Sequence, residues 1–328
     1  MPPQPALTPD PDHLLIAYAA SRAPGAPEAL QGLRLPNLEK LLARLQPGAL
    51  VAVDAESPDM PHERALAAAL GLRTAPGHAP WAALQMRAGG GEPGNQAWAW
   101  ITPCHWQIGM DHVLLQDPAS LHLTGEEDQA LRQAMAPFFL EDGLDLLPDQ
   151  PGRWLACGEV FRDLETASID RVSGRHIGPW LPPSDAARPL RRLQSEMQML
   201  LYQHPVNDER SARGVAPVNS FWISGAGALN DAGSPRNGAG ALPPPTVELG
   251  LRDAALSGDW AQWRTDWQVV DARACAALLA RHAAGVPVHL TLCGDENYRC
   301  WQGTPQGLLQ RFTSLFGTLP ASNRLLLL

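Results

Sequence analysis

The apolar positions of this chain fall into two kinds of pattern, short unbroken runs and stripes at helical spacing, and they alternate from the start. Leu14-Leu15-Ile16-Ala17-Tyr18-Ala19 is a continuous apolar run of strand length, as expected of a strand covered on both faces. A Pro/Gly/Ala stretch leads from it to Leu35-Pro36-Asn37-Leu38-Glu39-Lys40-Leu41-Leu42-Ala43-Arg44-Leu45, which places proline in the first turn of a helix with one apolar face. Strand, loop and helix in that order open a parallel α/β sheet. Ala49 to Val53 reads as a second strand, and His62 to Leu70 as a helix stopped by Gly71. From Ala79 to Ile101 the alternation of Trp81, Leu84 and Met86 with Trp98 and Trp100 predicts two strands around a turn at Gly89-Gly90-Gly91.

Farther along, Thr124-Gly125-Glu126-Glu127 is a capping box for a helix to about Leu140, in which Pro137 is a kink or a stop. Leu144 to Leu147 and Trp154 to Gly158 form a hairpin. An irregular stretch from Ser168 to Pro182 feeds a helix from about Ser184 to Gln203, whose stripe is Leu190, Leu193, Met197, Leu200 and Leu201. Residues 226–245 are small and polar, which predicts a flexible surface loop. Beyond it Asp271 caps a helix through His282, Val286 to Leu292 and Tyr298 to Trp301 are neighbouring strands, and Thr304 to Phe316 is a last amphipathic helix. Trp260, Trp263 and Trp267 share one helical face and read as core or subunit contact rather than a base-stacking platform. The expected fold is α/β, a central, mostly parallel sheet flanked by helices. A disordered tail covers residues 1–12, which hold five prolines, and a single domain covers 13–328.

Composition narrows the function. With 18% charged residues and a net charge of −9, the chain shows no cation cluster able to neutralise phosphates, so nucleic acid is not its main ligand. Lys40 is its only lysine and follows no Gly-x-x-x-x-Gly-Lys loop, which removes the simplest nucleotide-hydrolase readings. Five cysteines with no Cys-x-x-Cys pair point to reduced thiols, and no apolar run approaches membrane-spanning length. The expectation is a soluble cytoplasmic protein with no membrane partner.

Two polar stretches carry candidate chemistry. In Thr102-Pro103-Cys104-His105-Trp106-Gln107-Ile108-Gly109-Met110-Asp111-His112, the side chains of Cys104, His105, Asp111 and His112 are either ligands for a borderline metal or parts of a loop between strands. The second runs from His204 to Gly227. There Arg210 is a possible fork for phosphate or carboxylate, Asn207 and Asn219 orient polar groups, and the Gly225-x-Gly227 backbone allows close approach. The plainer alternative is a joint in which His204-Pro205 and the asparagines satisfy backbone amides.

The run Gly174-Arg175-His176-Ile177-Gly178-Pro179-Trp180-Leu181-Pro182, the helix after it, and His204-Pro205-Val206-Asn207 through Arg210, Gly214, Pro217, Asn219, Trp222, Gly225 and Gly227 resemble a segment of the archaeal-type, cofactor-independent phosphoglycerate mutases of the alkaline phosphatase superfamily. Leu35-Pro36-Asn37-Leu38 is similar to a helix start in the same enzymes. The whole chain resembles a bacterial group described as regulatory proteins of the RpfE type, or as phosphoglycerate-mutase-like. The resemblance implies a reduced superfamily fold and a site at His204, Asn207, Arg210, Asn219, Trp222, Gly225 and Gly227 for a phosphorylated small molecule. It also implies two divalent metals, manganese or zinc, held by aspartates and histidines beside a serine.

This chain departs from that pattern. The first strand ends in Ala19-Ala20 with no Asp-Gly pair, the last leads into Cys293-Gly294-Asp295-Glu296-Asn297, and the usual His-Asp pair reads Arg175-His176. Three functions follow as alternatives. One is a degenerate member, without metal or other cofactor, that binds or regulates; another is an active phosphomutase or phosphatase using His105, Asp111, His112 and His176 as ligands; the last is a structural partner of another protein.

Overall fold

The computed structural model describes residues 9–182, 185–229, 243–303 and 321–328. These residues form two compact units. One unit comprises residues 9–56, 60–71 and the described part of 243–328; the other comprises 57–59 and 72–229.

The first unit holds a five-stranded mixed sheet. Its strands, numbered along the chain, are β1 (Asp10–Ile16), β2 (Gln46–Ala52), β8 (Pro245–Glu248), β9 (Val288–Cys293) and β10 (Asn297–Gly303). The order is β2-β10-β9-β1-β8, with β1 parallel to β8 and β9 and β10 antiparallel to both β9 and β2. A mostly parallel sheet is therefore not what forms, because β10 follows β9 through a short turn and short turns can join only antiparallel strands. β1 begins at Asp10, inside the stretch expected to be loose. At the far edge every residue of β2 is exposed.

Helices α1 (Ala26–Leu30), α2 (Pro36–Arg44), α3 (Pro61–Ala69), α9 (Arg252–Ser257), α10 (Trp260–Val270), α11 (Ala276–Ala283) and α12 (Ala321–Leu325) complete this unit. Leu14, Ile16, Leu38, Leu41, Trp263, Trp267, Leu290 and Leu292 meet in its core. Each such apolar side chain contributes about 1.5–3 kcal/mol by leaving water. Trp263 and Trp267 are fully buried and meet edge to face, so the tryptophan stripe is core.

Asp271 does not cap its own helix. A π-helical turn, Asp271–Cys275, joins α10 to α11 without interruption and turns the Asp271 carboxylate onto the amino end of α2, where it accepts from the Leu38 amide at 2.7 Å, the Asn37 amide at 3.2 Å and the Asn37 side chain at 3.1 Å. That carboxylate replaces the missing N-cap, since Leu35 has no side-chain oxygen. Asp271→Ala is expected to lower stability by about 2 kcal/mol, as in the stronger N-cap deletions, with the midpoint of urea unfolding shifted and its slope unchanged.

The second unit is built on antiparallel strands β3 (Ala97–Ile108), β4 (Val113–Gln116), β5 (Asp145–Gln150), β6 (Arg153–Cys157) and β7 (Ser220–Ala228), in the order β4-β3-β6-β5 with β7 also paired to β3. Helices α4 (Trp81–Ala88), α5 (Gly125–Glu141), α6 (Ile169–Val172), α7 (Arg188–Tyr202) and α8 (Pro205–Ala212) belong to it. The capping box stands as expected, with Thr124 Oγ1 accepting from the Glu127 amide at 3.2 Å and Pro137 carried inside α5.

Two expectations fail here for one reason. Trp81 to Ala88 is a helix, because Trp81, Leu84 and Met86 mimic alternation while Ala82, Ala83 and Leu84 are what it buries; the glycines after it end the helix, with Gly90 at φ 83°. Thr102 to Ile108 is not a loop but the continuation of β3, which keeps β7 on one side and gains β4 on the other. In both places the partner element, not the local pattern, sets the conformation. Residues 230–242, most of the expected flexible loop, and the Thr304–Phe316 helix lie outside the described residues.

Candidate functional site

The predicted pivot lies in the antiparallel unit, and its polar side chains are turned to its own backbone. Arg210 is 1% exposed. It donates to the Ala216 carbonyl at 2.9 Å, the Leu121 carbonyl at 2.8 Å and the Glu127 carboxylate at 2.8 Å, so its fork is filled by protein acceptors. Arg213 adds a second contact to Glu127. Burial alone would push the Glu127 carboxyl up, but the Thr124 amide and the two guanidinium groups outweigh it and hold the carboxyl below its ordinary 4.5.

Asn207 is buried and pairs like a strand residue, donating to the Leu201 and Val218 carbonyls, both at 2.7 Å, and accepting from the Val218 amide at 2.8 Å. Asn219 does the same against Trp106, accepting from its amide at 2.7 Å and donating to its carbonyl at 2.9 Å. His204 caps α8 through Nδ1, and Trp222 donates to the Ala167 carbonyl at 2.9 Å. Gly225, at φ 62°, and Gly227 lie inside β7, where Cβ atoms would press on Trp81, Trp100 and Pro80. What approaches these glycines closely is the α4 end of the same unit.

The proposed metal ligands are not gathered. His105 lies on β3 with its Nδ1 2.8 Å from the Pro217 carbonyl. Asp111 and His112 are exposed at the β3–β4 turn, and His112 meets the exposed His176 edge-on with ring centroids 6.3 Å apart. Sequence reading missed a different buried polar group, in which Arg171, 2% exposed, donates to the Asp59 carbonyl at 2.7 Å and the Ser168 amide donates to the Pro58 carbonyl at 3.0 Å. The turn-forming residues around Ser57 and Ser168 were its only signal.

In the mixed-sheet unit, parallel strands β8, β1 and β9 end on the same edge, the place where open α/β sheets accept ligands. There Tyr18 is held at φ 56°, a left-handed conformation costing a non-glycine residue on the order of 1–3 kcal/mol. Its carbonyl accepts from the buried Trp263 indole at 3.0 Å, and its ring lies 5.3 Å from that of His62 at the start of α3. After β9, Asp295 Oδ2 accepts from the Ser21 hydroxyl and the Arg22 amide, each at 2.9 Å, and Glu296 pairs with Arg22. Asp295 Oδ1 and Asn297 Oδ1 are buried with no hydrogen-bond partner among the described residues. At the end of β8, Glu248 accepts from the Gly250 amide and faces Arg273. An edge of this kind offers two unpaired acceptor oxygens, which suit a hydrogen-bond donor, among carboxylates already compensated by Arg22 and Arg273.

The two-cation centre implied by the resemblance does not fit these residues. β1 runs into alanines, Asp295 spends one oxygen on Ser21 and Arg22, and Glu296 is paired. Among the described residues, no group of three or more His, Cys, Asp or Glu side chains is placed to hold a metal ion.

Fold and edge together define a two-unit α/β protein whose mixed sheet ends in a set of acceptor side chains. In sequence it is similar to a 2,3-bisphosphoglycerate-independent phosphoglycerate mutase of Methanothrix thermoacetophila, 27% identical over 124 residues. That match covers 38% of this chain and 31% of the relative, so the chain spans about a third of the mutase's length in the match. A solved cofactor-independent phosphoglycerate mutase from Thermoplasma acidophilum aligns with a TM-score of 0.36 at 15% identity, over 97% of this chain and 98% of that one. A protein from Pyrococcus horikoshii aligns with a TM-score of 0.48 at 14% identity, over 89% and 86%. No protein-family model matches the chain. Among the described residues no helix is long and apolar enough to cross a membrane.

Proposed function

We propose that this is a phosphoglycerate-mutase-like protein that has lost metal-dependent phosphotransfer and acts by binding, in a regulatory role. The reading rests on a distant sequence relationship together with the carboxyl edge of β1 and β9. Phosphoryl transfer through paired cations needs acidic side chains to hold them against the phosphate oxygens. At that edge the first strand runs on into Ala19 and Ala20, and Asp295, after β9, is engaged by Ser21 and Arg22. Arg210, the cation proposed to grip a phosphate, is consumed inside its own unit. The binding role therefore falls to the acceptor-lined edge.

An assay of phosphoglycerate interconversion in the presence of manganese tests the reading. The expected outcome is no turnover above the buffer rate, with or without chelator. Turnover that a chelator abolishes and fresh manganese restores would establish the opposite, a working mutase assembled from other residues.

A further inference from the structure

A second set of metal-ligating side chains lies in the mixed-sheet unit, away from the carboxyl edge. His13 of β1 stands directly opposite His289 of β9 in the parallel register. Both point to the face that buries Leu15 and Cys293 under α3, since residues two apart on a strand share a face. Their ring centroids are 5.4 Å apart and the rings are tilted by 45°. Two residue pairs farther along, on the same face, the Thr291 hydroxyl lies 3.0 Å from His13 Nε2.

That spacing lets one ion be shared by the two rings. A borderline metal binds imidazole nitrogen at about 2.0–2.1 Å, which puts each ring centroid about 3.2 Å from the ion, so two imidazoles at a tetrahedral angle have centroids about 5.2 Å apart. The 5.4 Å of His13 and His289 matches this; the 6.3 Å of His112 and His176 demands a nearly linear arrangement. The hydrogen bond to Thr291 supplies the other usual feature of a ligating histidine, an outer partner that fixes one ring nitrogen and leaves the other as the donor. Cys300, paired with Thr291 on β10, has its thiol pushed up by burial and is not counted as a ligand.

We infer that His13 and His289 form a chelating site for one borderline divalent cation of the zinc or nickel class, with Thr291 orienting His13 and water completing the coordination. Two protein ligands make this an exchangeable site rather than a fold-defining one. The inference is independent of the proposed loss of phosphotransfer, because it concerns neither the carboxyl edge nor turnover.

Calorimetric titration of the intact chain with zinc chloride, in chelator-free buffer at pH 7.5, tests it. One ion per chain is expected, bound with micromolar affinity. His13→Gln and His289→Gln should each weaken binding by about tenfold or more, whereas His176→Gln should leave it unchanged. Zinc should also shift two imidazole C2–H proton signals of the unmodified protein and leave the other histidine signals in place, a readout that needs no variant. Absence of saturable zinc binding, or binding that survives both substitutions and disappears with His176→Gln, would overturn the site.

Discussion

Arg210→Ala is expected to destabilise the antiparallel-sheet unit by about 3–5 kcal/mol, the range for removing one member of a buried ion pair. The guanidinium is 1% exposed and ties α8 to α5 through Glu127, to the Leu121 carbonyl ahead of α5, and to the Ala216 carbonyl before β7. Deleting it strands two carbonyls and a carboxylate that is 9% exposed, leaving the Thr124 amide and the half-exposed Arg213 beside it. Chemical denaturation measures the loss. A ligand-gripping arginine would behave differently, leaving the melt of the free protein nearly unchanged and abolishing stabilisation by a phosphorylated compound.

The same cluster carries a pH signature. Because the Glu127 carboxyl is held below its ordinary 4.5 in the folded state, its contribution is fully present above that value and is lost as the pH falls through the lower folded value. Glu127→Gln should therefore lower stability at neutral pH and flatten the acid limb of the stability curve below about pH 4.5.

Gly225→Ala is the second large effect, expected at about 2–5 kcal/mol from a left-handed backbone penalty and overpacking combined. At φ 62° an added Cβ would sit 2.9 Å from a Trp100 ring carbon and 3.0 Å from Trp81 Cβ. Neither neighbour can yield cheaply, since Trp100 is stacked under the Arg153 guanidinium at 4.6 Å and Trp81 opens α4. The measurement is again a melt, paired with near-ultraviolet circular dichroism, in which the tryptophan signal should change. Unaltered stability would mean that the glycine serves something other than the packing of α4 against β7.

Much of the local structure was legible in the residue pattern. The proline-started helix at Pro36, the box at Thr124 and the hairpin before and after Gly152 each depend on neighbours within a few residues and form where expected, whereas the first strand is shifted toward the start of the chain, to Asp10–Ile16. The sheet composition was not legible, because strand direction follows from connections between distant segments; β1 pairs with β8 and β9, both more than two hundred residues away. Trp81 to Ala88 misled for a related reason. A short apolar stretch fits either period, and only its packing on β7 chose the helix.

The candidate pivot divides in the same way. Its residue types announced an arginine and two asparagines rich in hydrogen-bonding groups, while the short helix α8 that starts at Pro205 was not read from the pattern, which suggested only a joint there. Which oxygens they would bind was beyond any local pattern: Arg210 meets Glu127 across 83 positions and Asn219 meets Trp106 across 113. Hydrogen-bonding capacity is a property of a side chain alone, whereas its satisfaction depends on what folding brings within about 3 Å of it. Composition and periodicity accordingly set the inventory of helices, strands and polar groups in this protein. Tertiary packing decided that the arginine faces inward, that the acceptor-lined edge lies on the mixed sheet, and that two histidines distant in sequence stand side by side.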